Sequence, residues 1–196
     1  MNRLLVNNRS YDKKCWDEFS VKKKENKQHI DVILGQYKSE EFIRLVEKWS
    51  GGLEKKNVLK TDLCEEAFGE DQILFSLPAD NSRVFAVDIS EETVRKARGR
   101  KADKLPGQRY LNADVRSLPF KDNVFDLILS TSTLDHFAAD GDLAASLKEL
   151  KRVMKPEGVM ITAINNKRNV NFYLMLKIEE LLGIKPYVSR AYYLSG

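Results

Sequence analysis

A short apolar run, an aspartate and the start of a helix follow one another in Val84-Phe85-Ala86-Val87-Asp88-Ile89-Ser90-Glu91-Glu92. The run Val84 to Val87 predicts a buried strand. Ser90, followed by two glutamates, predicts a capped helix start with acidic side chains at the positive end of the helix dipole. A strand that leads directly into a helix is the repeating unit of parallel sheets, so this stretch predicts an α/β fold.

The same alternation of short apolar runs and helical patterns extends to both sides of this stretch. Further strands are predicted at 58–63, 110–113, 125–130 and 159–164, each separated by a stretch long enough for a crossover. Asp140 begins a predicted helix that ends at Lys155-Pro156-Glu157-Gly158 and directs one apolar stripe inward, namely Leu143, Leu147, Leu150 and Val153. We therefore expect a Rossmann-like, mostly parallel sheet flanked by helices.

The residues before the first strand are polar and have helical spacing. Two amphipathic helices are predicted there, with Ser39 as the N-cap of the second and Ser50-Gly51-Gly52 as its end. The expected organisation is an N-terminal helical cap at 1–52 and the core at 53–196. Because the chain ends on an apolar stretch that would leave a sheet edge uncovered, we also expect that C-terminal strands are missing.

Composition and charge narrow the function classes. The 33 Lys and Arg residues against 29 Asp and Glu give a net charge of +4, which is too small to indicate nucleic-acid binding. Cys15 and Cys64 lack the spacing of a metal or redox pair. No stretch has the length of a membrane span or the character of a signal peptide. The chain is expected to be cytoplasmic, without membrane, metal or nucleic acid, and its oligomeric state stays open.

Three aspartates are placed at strand ends, where ligands of open α/β sheets bind: Asp62, Asp88 and Asp114. Asp88, after the second strand, can accept both hydroxyl protons of a ribose; the alternative is helix capping or simple turn chemistry. Asp114 can accept from an adenine amino group while Val115 packs on the ring, and the alternative is a local turn before Arg116.

Four segments in this order resemble the class I S-adenosylmethionine-dependent methyltransferases. They are Val87-Asp88-Ile89-Ser90, Asn112-Ala113-Asp114-Val115-Arg116-Ser117-Leu118-Pro119-Phe120, Phe125-Asp126-Leu127-Ile128-Leu129-Ser130 and Met154-Lys155-Pro156-Glu157-Gly158. The resemblance covers about 57–165. It implies that Asp88 with Ile89 binds the ribose, that Asp114 with Val115 forms the adenine site, and that Ser130 and Thr131 lie beneath the methionine portion of S-adenosylmethionine.

The loop after the first strand departs from that family. Aligned on Val58 and Leu59, Lys60 replaces the family's acidic residue, and its three glycines become Asp62, Cys64 and Glu66. Either Asp62 or Thr61 binds the ammonium group of the cofactor, or the larger side chains occlude the crevice. The acidic loop argues against nicotinamide dehydrogenases, whose pyrophosphate it would repel.

His136, which follows the fourth strand, is the candidate general base, and the alternative is a helix-start residue bonded to the backbone. The expected function is methyl transfer from S-adenosylmethionine to an unidentified small-molecule acceptor. The alternative is a non-catalytic or regulatory binding domain on the same fold, which has lost the cofactor.

Overall fold

A computed structural model describes residues 8–22, 29–69, 73–77, 80, 83–101, 107–137 and 140–164. Within these ranges the elements follow in the order α1 (Asn8–Lys22), α2 (His29–Ser50), β1 (Val58–Thr61), α3 (Cys64–Phe68), α4 (Ile73–Ser76), β2 (Val84–Asp88), α5 (Glu91–Lys101), β3 (Arg109–Asn112), β4 (Phe125–Ser130), a 3-10 helix (Leu134–His136), α6 (Asp140–Val153) and β5 (Met154–Thr162).

The five strands form one parallel sheet in the order β3-β2-β1-β4-β5. From β1 the chain builds outward through β2 to β3, and it then returns to the other side of β1 with β4. Such a reversal of strand order opens a crevice at the carboxyl ends of the two central strands. The predicted Rossmann-like α/β fold is confirmed, and its ligand site is expected beyond β1 and β4.

Apolar side chains cover both faces of the sheet. One cluster joins the sheet to α2, α3, α4 and α5, and its fully buried members include Val46, Val58, Leu63, Leu74, Ala97, Leu127 and Leu129. The second cluster joins the opposite face to α6, and its members include Leu59, Phe125, Ile128, Leu150 and Val153. Helices on both faces of a parallel sheet bury its three central strands, β1, β2 and β4, whereas the edge strands β3 and β5 are only partly buried.

One residue in the central strand is charged. The side chains of Lys60 and Glu66 are 1% and 0% exposed, and Lys60 Nζ lies 2.8 Å from Glu66 Oε2. Burial opposes the charge of Lys60, but the carboxylates of Glu66 and Asp62 outweigh burial and raise the pKa of this lysine above its ordinary value. The loop after β1 is therefore tied to the strand by a buried ion pair.

The strand assignments differ from the sequence prediction mainly in β5. Lys155 to Gly158, predicted as the turn that ends a helix, belong to this strand, and its pairing with β4 is irregular between Phe125 and Leu127. Pro156 is tolerated there because β5 is an edge strand of the described sheet. The preceding helix ends at Val153, and Leu147, expected inward, is 40% exposed.

The N-terminal helices also differ from the prediction. Ser39 does not cap a helix, since α2 runs through it from His29 to Ser50, and the Glu41–Arg44 ion pair of 2.7 Å lies within the same helix. The predicted end of this helix is confirmed: Gly51 and Gly52 follow with φ of 62° and 93°, which glycine adopts readily. The predicted C-terminal features beyond 164 lie outside the described residues.

The Lys60–Glu66 pair predicts a large stability effect. Lys60→Met leaves a buried carboxylate unpaired and should lower the free energy of unfolding by about 3–5 kcal/mol at pH 7. The loss should shrink at pH 5, because protonation of Glu66 removes its charge. Chemical denaturation of the purified variants at both pH values measures this.

Lys155→Met is the matched control for this experiment. It breaks the 2.8 Å Lys155–Asp126 pair, whose side chains are 40% and 22% exposed, and it should cost at most about 1 kcal/mol. Equal losses for the two lysine variants would contradict the burial argument.

Candidate active site

Asp88 ends β2 and occupies the entrance to α5. Its Oδ1 accepts a hydrogen bond from Ser90 N at 2.8 Å, and its Oδ2 accepts one from Leu63 N, in the loop after β1, at 3.0 Å. Each carboxylate oxygen keeps a second lone pair, and the residue is partly exposed. The predicted ribose ligand thus has free acceptor capacity at the carboxyl end of the sheet.

A neighbouring carboxylate acts on the charge of Asp88. Burial, together with the carboxylate of Asp62, raises the pKa of Asp88 to about 7, although the N–H groups of Ser90 and Leu63 act in the opposite direction. Two carboxylates therefore adjoin at the ends of β1 and β2. A cationic group in this place would relieve the repulsion between them.

The loop after β1 keeps a conformation suited to glycine although it contains none. Asp62 has a φ of 131°, a value that side-chain-bearing residues rarely adopt. Its Oδ1 accepts from Cys64 N at 2.8 Å, whereas its Oδ2 is buried and has no hydrogen-bond partner among the described residues. An acceptor that is ready for an additional donor is therefore present beside Asp88.

Glu66 does not cause the occlusion of the crevice that was the alternative to ammonium binding. Its carboxylate points into the protein, where it pairs with Lys60 and accepts from Leu74 N at 3.2 Å. The residue that replaces the third glycine is thus accommodated in the interior beneath α3. The sequence did not indicate this arrangement, because neither Lys60 nor Glu66 alone signals that the two side chains pair.

Hydroxyl groups connect the ends of β1 and β4. Thr61 Oγ1 lies 3.0 Å from Ser130 Oγ and 3.0 Å from Thr133 Oγ1, and the Thr133 hydroxyl also donates to the carbonyl of Thr61. Thr61 and Ser130 are buried, whereas Thr131 is partly exposed. Of the three predicted residues here, two form a buried polar contact, and Thr133 is an addition that the sequence did not indicate.

Asp114 is engaged in its own turn. Its Oδ1 accepts from Arg116 N and its carboxylate forms a paired contact with the Arg116 guanidinium, with Oδ2 2.8 Å from Nη2. Arg116 also lies 3.2 Å from Asp142. The turn that was the alternative to adenine binding is thus formed, and Asp114 would have to share its lone pairs with any ligand. Val115 is buried in the core.

His136 lies at the end of the 3-10 helix, beyond β4. Its Nε2 is 3.4 Å from Ser132 Oγ, and its Nδ1 is buried without a partner among the described residues. The ring of Trp16, on α1, meets the imidazole edge-on with 5.0 Å between ring centroids. The N-terminal helix therefore lies against the candidate base.

The same helix reaches the other end of the crevice. The Ser90 hydroxyl donates to Asp17 at 2.8 Å, and Ser20 Oγ lies 2.6 Å from Thr93 Oγ1 at the start of α5. Ser90 also caps α5, as predicted, by accepting from Thr93 N. The contacts of α1 with Ser90 and Thr93 join residues more than seventy positions apart, so no local pattern could have indicated them.

The turn after Asp88 is fixed from β3. Asn112 Nδ2 donates to the carbonyl oxygens of Asp88 and Ile89 at 3.0 and 2.8 Å. The backbone of Ile89 is thereby held where the resemblance places the ribose site. Asn112 lies in the segment 112–120 of the sequence analysis, but its hydrogen bonds could not be foreseen without the pairing of β2 with β3.

The part of the chain that the structure describes has neither a metal cluster nor a membrane-spanning helix. No group of three or more His, Cys, Asp or Glu side chains could hold a metal ion there. No described helix combines the length and apolar character of a membrane span.

This fold and this arrangement of strand-end carboxylates define the class of α/β proteins that bind a ligand at the reversal of strand order. The methyltransferase domain family matches residues 64–162, which is half of the chain. The chain belongs to this family, within the class I S-adenosylmethionine-dependent methyltransferases.

The chain is also similar to individual proteins over part of its length. The mitochondrial arginine-hydroxylase NDUFAF5 of Danio rerio is 35% identical over 111 residues, which are 55% of this chain and 32% of that protein. The crystal structure of the PH0226 protein from Pyrococcus horikoshii OT3 has a TM-score of 0.58 and 26% identity, covering 74% of this chain and 63% of that one.

A third comparison supports the fold alone. The N-methyltransferase NodS from Bradyrhizobium japonicum WM9, in complex with S-adenosylhomocysteine, has a TM-score of 0.62 and 15% identity, covering 76% of this chain and 71% of that one. The putative methyltransferase YqeM of Bacillus subtilis is 24% identical over 61% of this chain and 49% of that protein. The chain thus spans 32% of the length of the Danio rerio relative and 49% of that of YqeM.

The raised pKa of Asp88 predicts a pH-dependent stability. A carboxyl group whose pKa rises on folding favours the folded state at low pH, and this contribution is lost as pH rises through about 7. Relative to Asp88→Asn, the parent chain should therefore lose about 1–2 kcal/mol of unfolding free energy between pH 5 and pH 8. The full pKa shift would give more, but Asp88 is partly open to solvent.

Denaturant titrations of both proteins at several pH values measure this difference. Glu149→Gln serves as a control: Arg152 lowers the pKa of Glu149, so the contribution of this residue to stability is lost only at lower pH and should change little between pH 5 and pH 8. A parent-to-variant difference that stays constant from pH 5 to pH 8 would contradict the assignment.

Proposed function

We propose that this domain binds S-adenosylmethionine and transfers its methyl group to a small-molecule acceptor. The observation that carries the proposal is the buried Oδ2 of Asp62, which lacks a partner among the described residues and adjoins Asp88. A nucleoside that also bears an ammonium group matches this pair of acceptors. Family membership supports the same cofactor.

The adenosine portion would be held at the end of β2. Asp88 retains lone pairs for ribose hydroxyls, and the backbone of Ile89 is fixed by Asn112. Asp114 and Val115 stay candidates for the adenine, with the cost that Asp114 shares its carboxylate with Arg116. Asp88 is therefore the primary nucleoside ligand in this proposal.

The methionine portion would be recognised through its ammonium group. The backbone N–H groups of Asp62, Leu63 and Cys64 donate to Val87 O, Asp88 Oδ2 and Asp62 Oδ1. A carboxylate or phosphate would have to displace these bonds, whereas a cation can pair directly with Asp62 Oδ2. This charge preference also disfavours a dinucleotide cofactor.

Bound S-adenosylmethionine supplies a methyl group that its sulfonium already activates, so the protein must chiefly align donor and acceptor. The Thr61, Ser130 and Thr133 hydroxyls would line the methionine side, and Thr131 would lie at the lip. In this proposal His136 would accept a proton from a hydroxyl or amine acceptor through a ring nitrogen. Trp16 restricts the orientation of that ring.

Calorimetric titration of the chain with S-adenosylmethionine and S-adenosylhomocysteine tests the proposal. Saturable binding with one site supports it. Absence of binding by both compounds at millimolar concentration would overturn it and favour a binding domain that has lost the cofactor.

Asp62→Asn separates ammonium recognition from nucleoside recognition. Removing the carboxylate charge should weaken binding of S-adenosylmethionine and S-adenosylhomocysteine by about 1.5–3 kcal/mol, the range of a charge-assisted hydrogen bond. At pH 8, above the raised pKa of Asp88, adenosine, which lacks the ammonium group, should bind variant and parent equally. Parallel calorimetry with the three ligands provides the measurement.

Asp88→Ala is the companion variant in this experiment. It should weaken all three ligands, including adenosine, because they share the ribose. If Asp62→Asn weakened adenosine as much as S-adenosylhomocysteine, the assignment of Asp62 to the ammonium group would be wrong.

A further inference from the structure

The buried Lys60–Glu66 pair touches more than one element. Lys60 Nζ contacts Glu66 Oε2 and also donates to the carbonyl oxygen of Asp62, while Glu66 Oε1 accepts from Leu74 N. One ion pair therefore joins β1, the loop that follows it, α3 and α4. Its position is directly behind the proposed ammonium site.

Asp62 needs such support because of its backbone. A side-chain-bearing residue with a φ of 131° is strained, and such residues persist where their surroundings fix them. The N–H group of Asp62 donates to Val87 O at 2.9 Å, and its carbonyl accepts from Lys60. Both peptide groups of Asp62 are thus held, one by β2 and the other by the buried lysine.

We propose that Lys60, held in place by Glu66, is a positioning residue of the ligand site, whose bond to the Asp62 carbonyl fixes the backbone of Asp62 and thereby holds its carboxylate beside Asp88. This inference rests on the proposed function and extends it to two residues that do not touch the ligand. In this loop the buried Lys60 donor holds Asp62 in a backbone conformation that glycine would adopt freely.

Stability alone does not account for the pair. Replacing a buried ion pair by uncharged side chains of similar volume is often neutral or stabilising, whereas removing one partner is costly. The feature that such a replacement cannot reproduce here is the donor to the Asp62 carbonyl. The positioning role therefore predicts that stability and ligand preference respond differently to substitution.

Two variants separate these responses. Glu66→Gln keeps Lys60 and its bond to Asp62, and should lower the melting temperature while the ratio of S-adenosylhomocysteine to adenosine affinity stays within twofold of the parent. Lys60→Met/Glu66→Gln removes the unpaired charge and should recover melting temperature relative to Glu66→Gln. It should nevertheless lose at least tenfold in S-adenosylhomocysteine affinity, with adenosine within twofold.

Amide hydrogen exchange gives a readout without ligand. The Leu63 and Cys64 amides, which donate to Asp88 and Asp62, should exchange at least tenfold faster in Lys60→Met/Glu66→Gln than in Glu66→Gln. Lys155→Met/Asp126→Asn, which neutralises the more exposed pair between β4 and β5, is the matched control and should change neither amide nor affinity ratio. Lys60→Met/Glu66→Met replaces the first double variant if that protein does not fold.

The outcomes distinguish this inference from the proposed function. If the parent binds S-adenosylhomocysteine and the Lys60 double variant binds it equally well, the positioning role is overturned while the function stands. If the parent binds neither cofactor form, the function fails, and amide exchange alone decides: faster exchange at Leu63 and Cys64 supports positioning of the loop, and unchanged exchange overturns it.

Discussion

The ammonium of Lys60 and the carboxylate of Glu66 meet 2.8 Å apart in the interior, where water has almost no access to either side chain. Taking two charges out of water is costly, so the surrounding structure must keep them together. The central strand, the short helix α3 and the N–H group of Leu74 all contribute to this arrangement. The course of the loop after β1 follows from it.

This constraint explains how a loop without glycines remains compatible with the family fold. Glu66 is turned inward, and Asp62 takes a backbone conformation that glycine would adopt freely. The consequence is chemical as well as steric. Successive N–H groups of the loop are bonded within the protein. A carboxylate lies where the family resemblance implies a glycine. The crevice is thereby suited to a cation more than to an anion.

Sequence reasoning succeeded where the signal was local. Phe125–Ser130 was predicted as a strand with the bounds that the structure has, and the Ser90 cap and the Gly51-Gly52 helix end were found in place. Local propensity failed where context prevailed: Ser39 lies inside a continuous helix, and Pro156 lies in an edge strand.

The site was predictable only in part. Asp62 and Asp88 could be placed at neighbouring strand ends, because the carboxyl ends of parallel strands meet at one edge. The bond of Lys60 with Glu66, the contact of Trp16 with His136 and the hydroxyl contacts of Ser20 depend on tertiary packing. The turn at Asp114 before Arg116 was foreseen as an alternative, but the sequence could not decide between turn and ligand and did not indicate the Asp114–Arg116 ion pair.

The ammonium group of the ligand is the group on which the proposed recognition depends. The most direct test compares the affinity of the parent chain for S-adenosylhomocysteine with that for the analogue in which hydrogen replaces the amino group alone. A charge-assisted bond to Asp62 predicts that the amino compound binds at least tenfold more tightly at pH 8. Equal affinities for the two compounds would contradict the account.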